Sequence, residues 1–428
     1  MLLIKNGYLM DPKSGKEGFY DILTDFGRIQ KIGKELALPE GAELLNAAGC
    51  VAAPGLVDVH VHFRDPGFPE KEDILSGAAA AAAGGFTTVI MMANTKPPID
   101  NAETLKYCLK RGKETGIRVL ACANVTRKMA GRELTDMEVL KAAGAVGFTD
   151  DGIPLMDEGL VREAMQRTRR LGVPISFHEE NPKLIKNNGI NHGEASSYYG
   201  IYGSPREAEI SLIRRDLALA EETGACVEIQ HISSKEGVEL VRKAKEKGLD
   251  VHAEATPHHF TLTERALIEY GSYAKMNPPL RTEEDRLAII RGLRDGTIDC
   301  IATDHAPHTA AEKKERTLTA APSGIIGLET SLSLGITELV EKKYLTLMEL
   351  LRLMTVNPAE MYHLDAGYLA EGGPADLVVF DPQAVRRAGP YFSRAENTPF
   401  TGRKLKGKVV STICRGKQVY SGEDPILR

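Results

Sequence analysis

Residues 51–62 read Val51-Ala52-Ala53-Pro54-Gly55-Leu56-Val57-Asp58-Val59-His60-Val61-His62, an apolar run that ends in two histidines. Residues two apart on a β-strand point to the same side, so both imidazoles can reach one metal ion from the strand's end. Imidazole fills a core poorly unless its nitrogens are satisfied. Taken alone, the pair is equally compatible with a solvated strand end, and the rest of the chain has to decide.

Working outward, short runs rich in Val, Ile and Ala alternate with longer amphipathic stretches from residue 52 onward. This is the pattern of βα units whose parallel strands are buried on both faces. Eight candidate strands can be counted, over residues 56–62, 87–94, 118–125, 145–150, 174–178, 226–231, 250–256 and 299–304. The spacing leaves room for a helix after each, so the expected fold class is α/β, a (β/α)8 TIM barrel. Polar residues gather at the C-terminal ends of these runs, as Arg64, Asn94, Asp150, Asp151, His178, His231 and Asp304. A doubly wound sheet would gather them at one switch point instead.

The two ends of the chain differ from the middle. Residues 1–51 and 363–428 carry short strand-like runs joined by Gly-containing turns such as Phe26-Gly27 and Arg415-Gly416. Neither half has enough strands to be stable alone, so the two are paired into one small discontinuous β-sandwich beside a catalytic barrel over 52–362. The alanines Ala78 to Ala83 with Gly84-Gly85 predict a helix lying close to the barrel wall. The charged, aperiodic stretch 309–324, directly after Asp304, is expected to be a lid.

Composition sets outer limits on function. The 428 residues carry a net charge of −5 with acidic and basic residues interspersed. No basic stripe points to nucleic acid or to an anionic membrane, and a small-molecule substrate is expected. The six cysteines are far apart and form no CxxC, which argues against a disulfide framework or a thiolate zinc site. With no bilayer-length apolar run and no signal-peptide core, a cytoplasmic protein is expected.

Candidate metal ligands are His60 and His62 after the first barrel strand, Asp151 after the fourth, His178 after the fifth, His231 after the sixth and Asp304 after the eighth. Four imidazoles and two carboxylates suit two borderline cations bridged by an oxygen donor, zinc above all. His258 and His259 are adjacent and would face opposite ways on an extended segment, so at most one can line a pocket. His252 reads as barrel filler, His192 and His363 as surface or structural, and His305 as a support for the strand end.

At this point the chain resembles the cyclic amidases of the amidohydrolase superfamily, and among them the bacterial type I dihydroorotases. The matching segments are residues 54–67, 84–88, 148–152, 276–281 and Ala302-Thr303-Asp304-His305-Ala306-Pro307-His308. The resemblance implies reversible cyclisation of N-carbamoyl-L-aspartate to L-dihydroorotate in pyrimidine biosynthesis. It implies two Zn2+ ions per subunit, bridged by Asp151 and a hydroxide. His60, His62 and Asp304 would hold one ion and His178 and His231 the other, with Asp304 as the catalytic proton shuttle. It further implies substrate contacts from His62, Arg64, Asn94, Asn277, His308, Ser323 and Gly324. Three positions depart from the pattern: Ala93 stands for a proline, Glu179 for a cysteine and Ser323 for a phenylalanine.

Hydantoinases, dihydropyrimidinases and allantoinases share the paired histidines, but their bridge is a carboxylated lysine at the end of the fourth strand. That strand here ends Phe148-Thr149-Asp150-Asp151. A non-catalytic barrel subunit that scaffolds another pyrimidine-pathway enzyme is the alternative of a different class, and degenerate ligands would mark it. A homo-oligomer and an aspartate transcarbamoylase partner are both compatible with the resemblance.

Overall fold

The computed structural model describes residues 1–314 and 316–422. Glu315 of the expected lid and residues 423–428 of the expected terminal domain lie outside them.

The N-terminal segment forms β1 (Leu2–Lys5), β2 (Tyr8–Asp11), β3 (Lys16–Phe19), β4 (Asp21–Asp25), β5 (Arg28–Gly33), β6 (Glu43–Asn46) and β7 (Val51–Pro54). Next come β8 (Leu56–Val61), β9 (Phe86–Met91), β10 (Arg118–Ala121), β11 (Phe148–Thr149), β12 (Ile175–Phe177), β13 (Val227–Ile229), β14 (Val251–Ala255) and β15 (Cys300–Ile301). The chain returns in β16 (Leu377–Arg387), β17 (Lys404–Cys414) and β18 (Lys417–Ser421).

Strands β8 to β15 run parallel in sequence order, in two sheets of three and five strands. Single parallel bridges join the sheets at both seams, Ala123 to Phe148 and Val61 to His305, so the strands close into a ring. A helix follows each strand, from Ile74–Ala83 after β8 to Leu347–Met354 after β15. The alanine-rich helix does lie against the ring. A Cβ added at Gly77 would stand 2.3 Å from the Phe63 ring, so only glycine allows that approach.

Each ring strand is shorter than its apolar run. The residues beyond the last rung leave the ladder, and two of them, His231 (φ 34°) and Asp304 (φ 45°), adopt a left-handed backbone rare outside glycine. That turn aims their side chains across the mouth of the ring instead of along the strand.

The terminal strands form a four-stranded sheet, β5-β4-β1-β6, and a six-stranded sheet, β18-β17-β16-β7-β2-β3, that draws on both ends of the chain. The two share one apolar cluster, with Ile4, Ile22 and Ile29 from the first and Leu9, Val379 and Ile413 from the second, each fully buried. Each such side chain stabilises by about 1.5–3 kcal/mol.

The run from Val51 is not one strand. Residues Val51–Pro54 pair with β16 and β2 in the terminal sheet, and the ring begins only at Leu56. Gly55 lies between the two strands, and an added Cβ there would meet the Thr87 side chain at 2.2 Å. Periodicity cannot find such a break, because both halves of the run are buried strands. The edge strand Lys16–Phe19 has no signature in its sequence, since KEGF carries neither alternation nor β-branched residues.

Candidate metal centre and cavity

All six expected ligands meet at the C-terminal mouth of the ring, every one buried. Asp151 sits between two histidine pairs. Its Oδ2 lies 3.6 Å from His60 Nε2 and 3.4 Å from His62 Nε2, while its Oδ1 lies 3.5 Å from both His178 Nδ1 and His231 Nε2. Asp304 Oδ1 lies 2.8 Å from His62 Nε2 and 3.4 Å from His60 Nε2. The two nitrogens of the second pair, His178 Nδ1 and His231 Nε2, stand 2.9 Å apart.

Three of the four rings are held from behind. His60 Nδ1 donates to Glu254 Oε1 at 2.5 Å, His62 Nδ1 to Asn94 Oδ1 at 3.0 Å and His178 Nε2 to Glu180 Oε2 at 3.1 Å. When the ring carries a single proton, each bond keeps it on the braced nitrogen and leaves the inward one as a lone-pair donor. His60 Nε2 is buried with no hydrogen-bond partner, which a cation at that point would satisfy. Glu254 Oε1 also accepts the backbone N–H of His231 at 3.0 Å, so one oxygen braces a ligand from each pair.

The charges are mutually dependent. Burial opposes ionisation of Asp304, but the His60 and His62 rings outweigh it and hold the carboxyl down at about 2. Burial likewise opposes charging of His178, yet Asp151 and Glu180 together push it up to about 10. A cluster that attracts protons this strongly releases them when a cation takes their place.

The ligands open onto a cavity of about 190 Å3, to which Arg64, Asn94, Asn277, His308 and Ser323 also contribute. Arg64 Nε donates to the Pro307 carbonyl at 3.3 Å. His308 Nε2 donates to the Ser323 carbonyl at 2.9 Å, and the Ser323 hydroxyl donates to Asn277 Oδ1 at 2.9 Å, so serine finds a polar partner at its unusual position. Gly324 does not reach the cavity. Its N–H donates to the Lys275 carbonyl and its own carbonyl accepts from Asn397.

Glu254 and Glu180 are absent from the expected site residues, although an acid inside the apolar strand Val251–Ala255 is a signal for the first of them. Glu254→Gln, which keeps the shape and removes the charge, is expected to weaken divalent-cation affinity by about 10- to 100-fold. Chelator competition measures this, with the melting temperature of the metal-free protein as the control for folding. Adjacent His258 and His259 lie on the short helix Pro257–Thr261, not on an extended segment. His259 is engaged by Thr256 and Pro278, while His258 Nε2 is buried without a partner. His305 braces the strand end as expected, bonded to Glu72 and to the Gly327 N–H.

The 309–324 stretch includes a short helix, Ala310–Lys314, and is tied down by two lysines. Lys313 Nζ donates to the Ser272 and Pro322 carbonyls, and Lys275 Nζ to those of Thr319 and Ala321. Burial lowers Lys275 to about 8 and Lys313 to about 7, against roughly 10.4 for a free lysine. Docking of this segment therefore releases protons, and it is expected to tighten as pH rises from about 7 to about 10. Hydrogen-exchange protection over 309–324, corrected for the intrinsic rate, should increase across that window; a decrease would contradict the assignment.

The family model described as "Amidohydrolase family" matches residues 51–419. A dihydroorotase of Clostridioides difficile (strain 630) is 53% identical over 421 residues, 98% of this chain and 100% of its own length. One from Lactococcus lactis subsp. lactis (strain IL1403) is 52% identical over 99% of this chain and 100% of its own. Among solved structures, the L-hydantoinase (dihydropyrimidinase) of Arthrobacter aurescens superposes with a TM-score of 0.89 at 26% identity, covering 100% of this chain and 97% of that one. No helix among the described residues is long and apolar enough to cross a membrane.

Proposed function

The chain belongs to the amidohydrolase family and, within it, to the dihydroorotases, and from that membership we propose that the six converging side chains hold two zinc ions spanned by Asp151. Its reaction is the reversible hydrolysis of a cyclic amide, interconverting L-dihydroorotate and N-carbamoyl-L-aspartate in pyrimidine biosynthesis. We read the architecture as a (β/α)8 barrel that carries the chemistry, beside a composite β-sandwich built from both termini. A cytoplasmic setting accords with six free thiols.

The observation that carries the metal assignment is the division of labour on Asp151, with one oxygen toward each histidine pair. Two divalent cations supply, when bound, the Lewis acidity that activates water and polarises the ring carbonyl. The chain's own groups do the rest. Asp304, ionised at neutral pH, takes the proton of the attacking water and passes it to the leaving ring nitrogen. In the biosynthetic direction the same carboxyl returns it. Arg64, at the cavity wall, offers a planar two-pronged partner for the carboxylate that dihydroorotate carries and dihydrouracil lacks. Asn277 and His308 complete the polar lining, and the docked 309–324 segment excludes water.

A hydantoinase reading has the structural likeness in its favour, but that likeness comes at 26% identity, against 53% for the dihydroorotase, and no lysine ends β11. The deciding experiment compares ring opening of L-dihydroorotate, dihydrouracil and hydantoin by the zinc-loaded protein. Dihydroorotate should be strongly preferred. Arg64→Lys should raise its KM by about 10- to 100-fold with metal content unchanged, the loss of one charge-assisted bond. Equal rates on all three rings would move the assignment to dihydropyrimidinase.

A further inference from the structure

A second set of metal-capable side chains gathers at the opposite, N-terminal end of the ring, where β13, β14 and β15 begin. Cys226 immediately precedes β13, Asp250 precedes β14 and His252 is the second residue of β14. Parallel pairing of Val227 with Val251 sets these strand starts side by side. Donor atoms of Cys226, Asp250 and His252 all lie within 4.8 Å of one another. They open onto a cavity of about 340 Å3 whose lining adds Asp299, Glu360 and His363. The reading of His252 as barrel filler therefore does not hold.

Within this set the imidazole and the carboxylate stand at a distance that two ligands of one ion would have. A nitrogen and an oxygen bound tetrahedrally at about 2.0–2.1 Å stand about 3.3 Å apart. His252 Nε2 lies 3.2 Å from Asp250 Oδ1. On the other edge of the ring, Asp299 Oδ1 lies 3.2 Å from His252 Nδ1. It is itself anchored, its Oδ2 accepting from the Ala253 N–H and from Lys245 Nζ. His252 Nδ1 itself is buried with no hydrogen-bond partner. The Cys226 thiol and the imidazole of His363 line the same cavity. Sulfur, nitrogen and oxygen donors together select a borderline divalent cation.

We propose that this basal cavity is a structural site for one zinc-class cation, ligated by Cys226 Sγ, Asp250 and His252 Nε2, and separate from the catalytic cluster. The site ties together the starts of two ring strands. Because thiol and imidazole must both give up protons, its affinity rises with pH.

The test uses cobalt(II) as the probe, added to full-length protein whose catalytic cluster is already filled with zinc. None of the six residues of that cluster carries sulfur, so a thiolate-to-cobalt charge-transfer band in the near ultraviolet reports only on a cysteine site. The expected result is a saturable band at one cobalt per chain, absent in Cys226→Ser and in His252→Ala, with dihydroorotate turnover unchanged in Cys226→Ser. Should a variant not fold, alkylation of Cys226 in the wild-type protein, read by mass spectrometry, decides: zinc should protect it. Absence of the band, its persistence in Cys226→Ser, or alkylation of Cys226 indifferent to zinc each overturns the proposal.

Discussion

Asp304→Asn is expected to lower turnover by about 10²- to 10⁴-fold or more, because the group proposed to move the proton also stands among the proposed ligands. The asparagine keeps the shape and the left-handed backbone at φ 45°, but it cannot accept a proton. In the wild-type chain the His60 and His62 rings hold the Asp304 carboxyl near 2, so it is ionised throughout the neutral range. Its activity contribution is thus present at neutral pH and lost as pH falls toward that value. Steady-state rates with and without added zinc, alongside direct metal analysis, separate the two roles. A variant with full metal content that kept more than about a tenth of the wild-type rate would remove Asp304 from the proton path.

Asp151→Ala should be as damaging and for a different reason. With neither oxygen present, nothing lies between the pairs His60/His62 and His178/His231, and the four rings are left to repel one another when protonated. The variant should bind fewer cations and lose turnover altogether. A side-chain carboxylate also needs no carbon dioxide to form, unlike a carboxylated lysine. Metal-stripped wild-type protein should therefore regain full activity with zinc alone in degassed buffer. A requirement for bicarbonate, or an intact mass carrying an added carboxyl group on lysine, would mean that Asp151 is not the bridge and would reopen the substrate question.

Much of this was legible in the chain itself, for a local reason. Strand and helix alternate with different periods, and polar residues gather at the C-terminal ends of the apolar runs, so His60, His62, Asp151, His178, His231 and Asp304 stand out as candidates, with Arg64, Asn94 and Asp150 beside them, without knowledge of their neighbours. The ring, the mouth at which chemistry sits and the donor types all follow from that. What periodicity does not encode is which distant elements touch. The Glu254 oxygen behind His60 comes from 194 residues away, and Asp304 reaches His62 across 242. Likewise the assignment of Val51–Pro54 to the terminal sheet, the bond from the Gly324 N–H to the Lys275 carbonyl and the basal gathering around His252 were decided only when the folded chain set those segments side by side. Residue type and spacing determined what each strand end could do; the tertiary structure determined which carboxylate stands behind which ring, because that depends on contacts between chain segments that carry no local mark of one another.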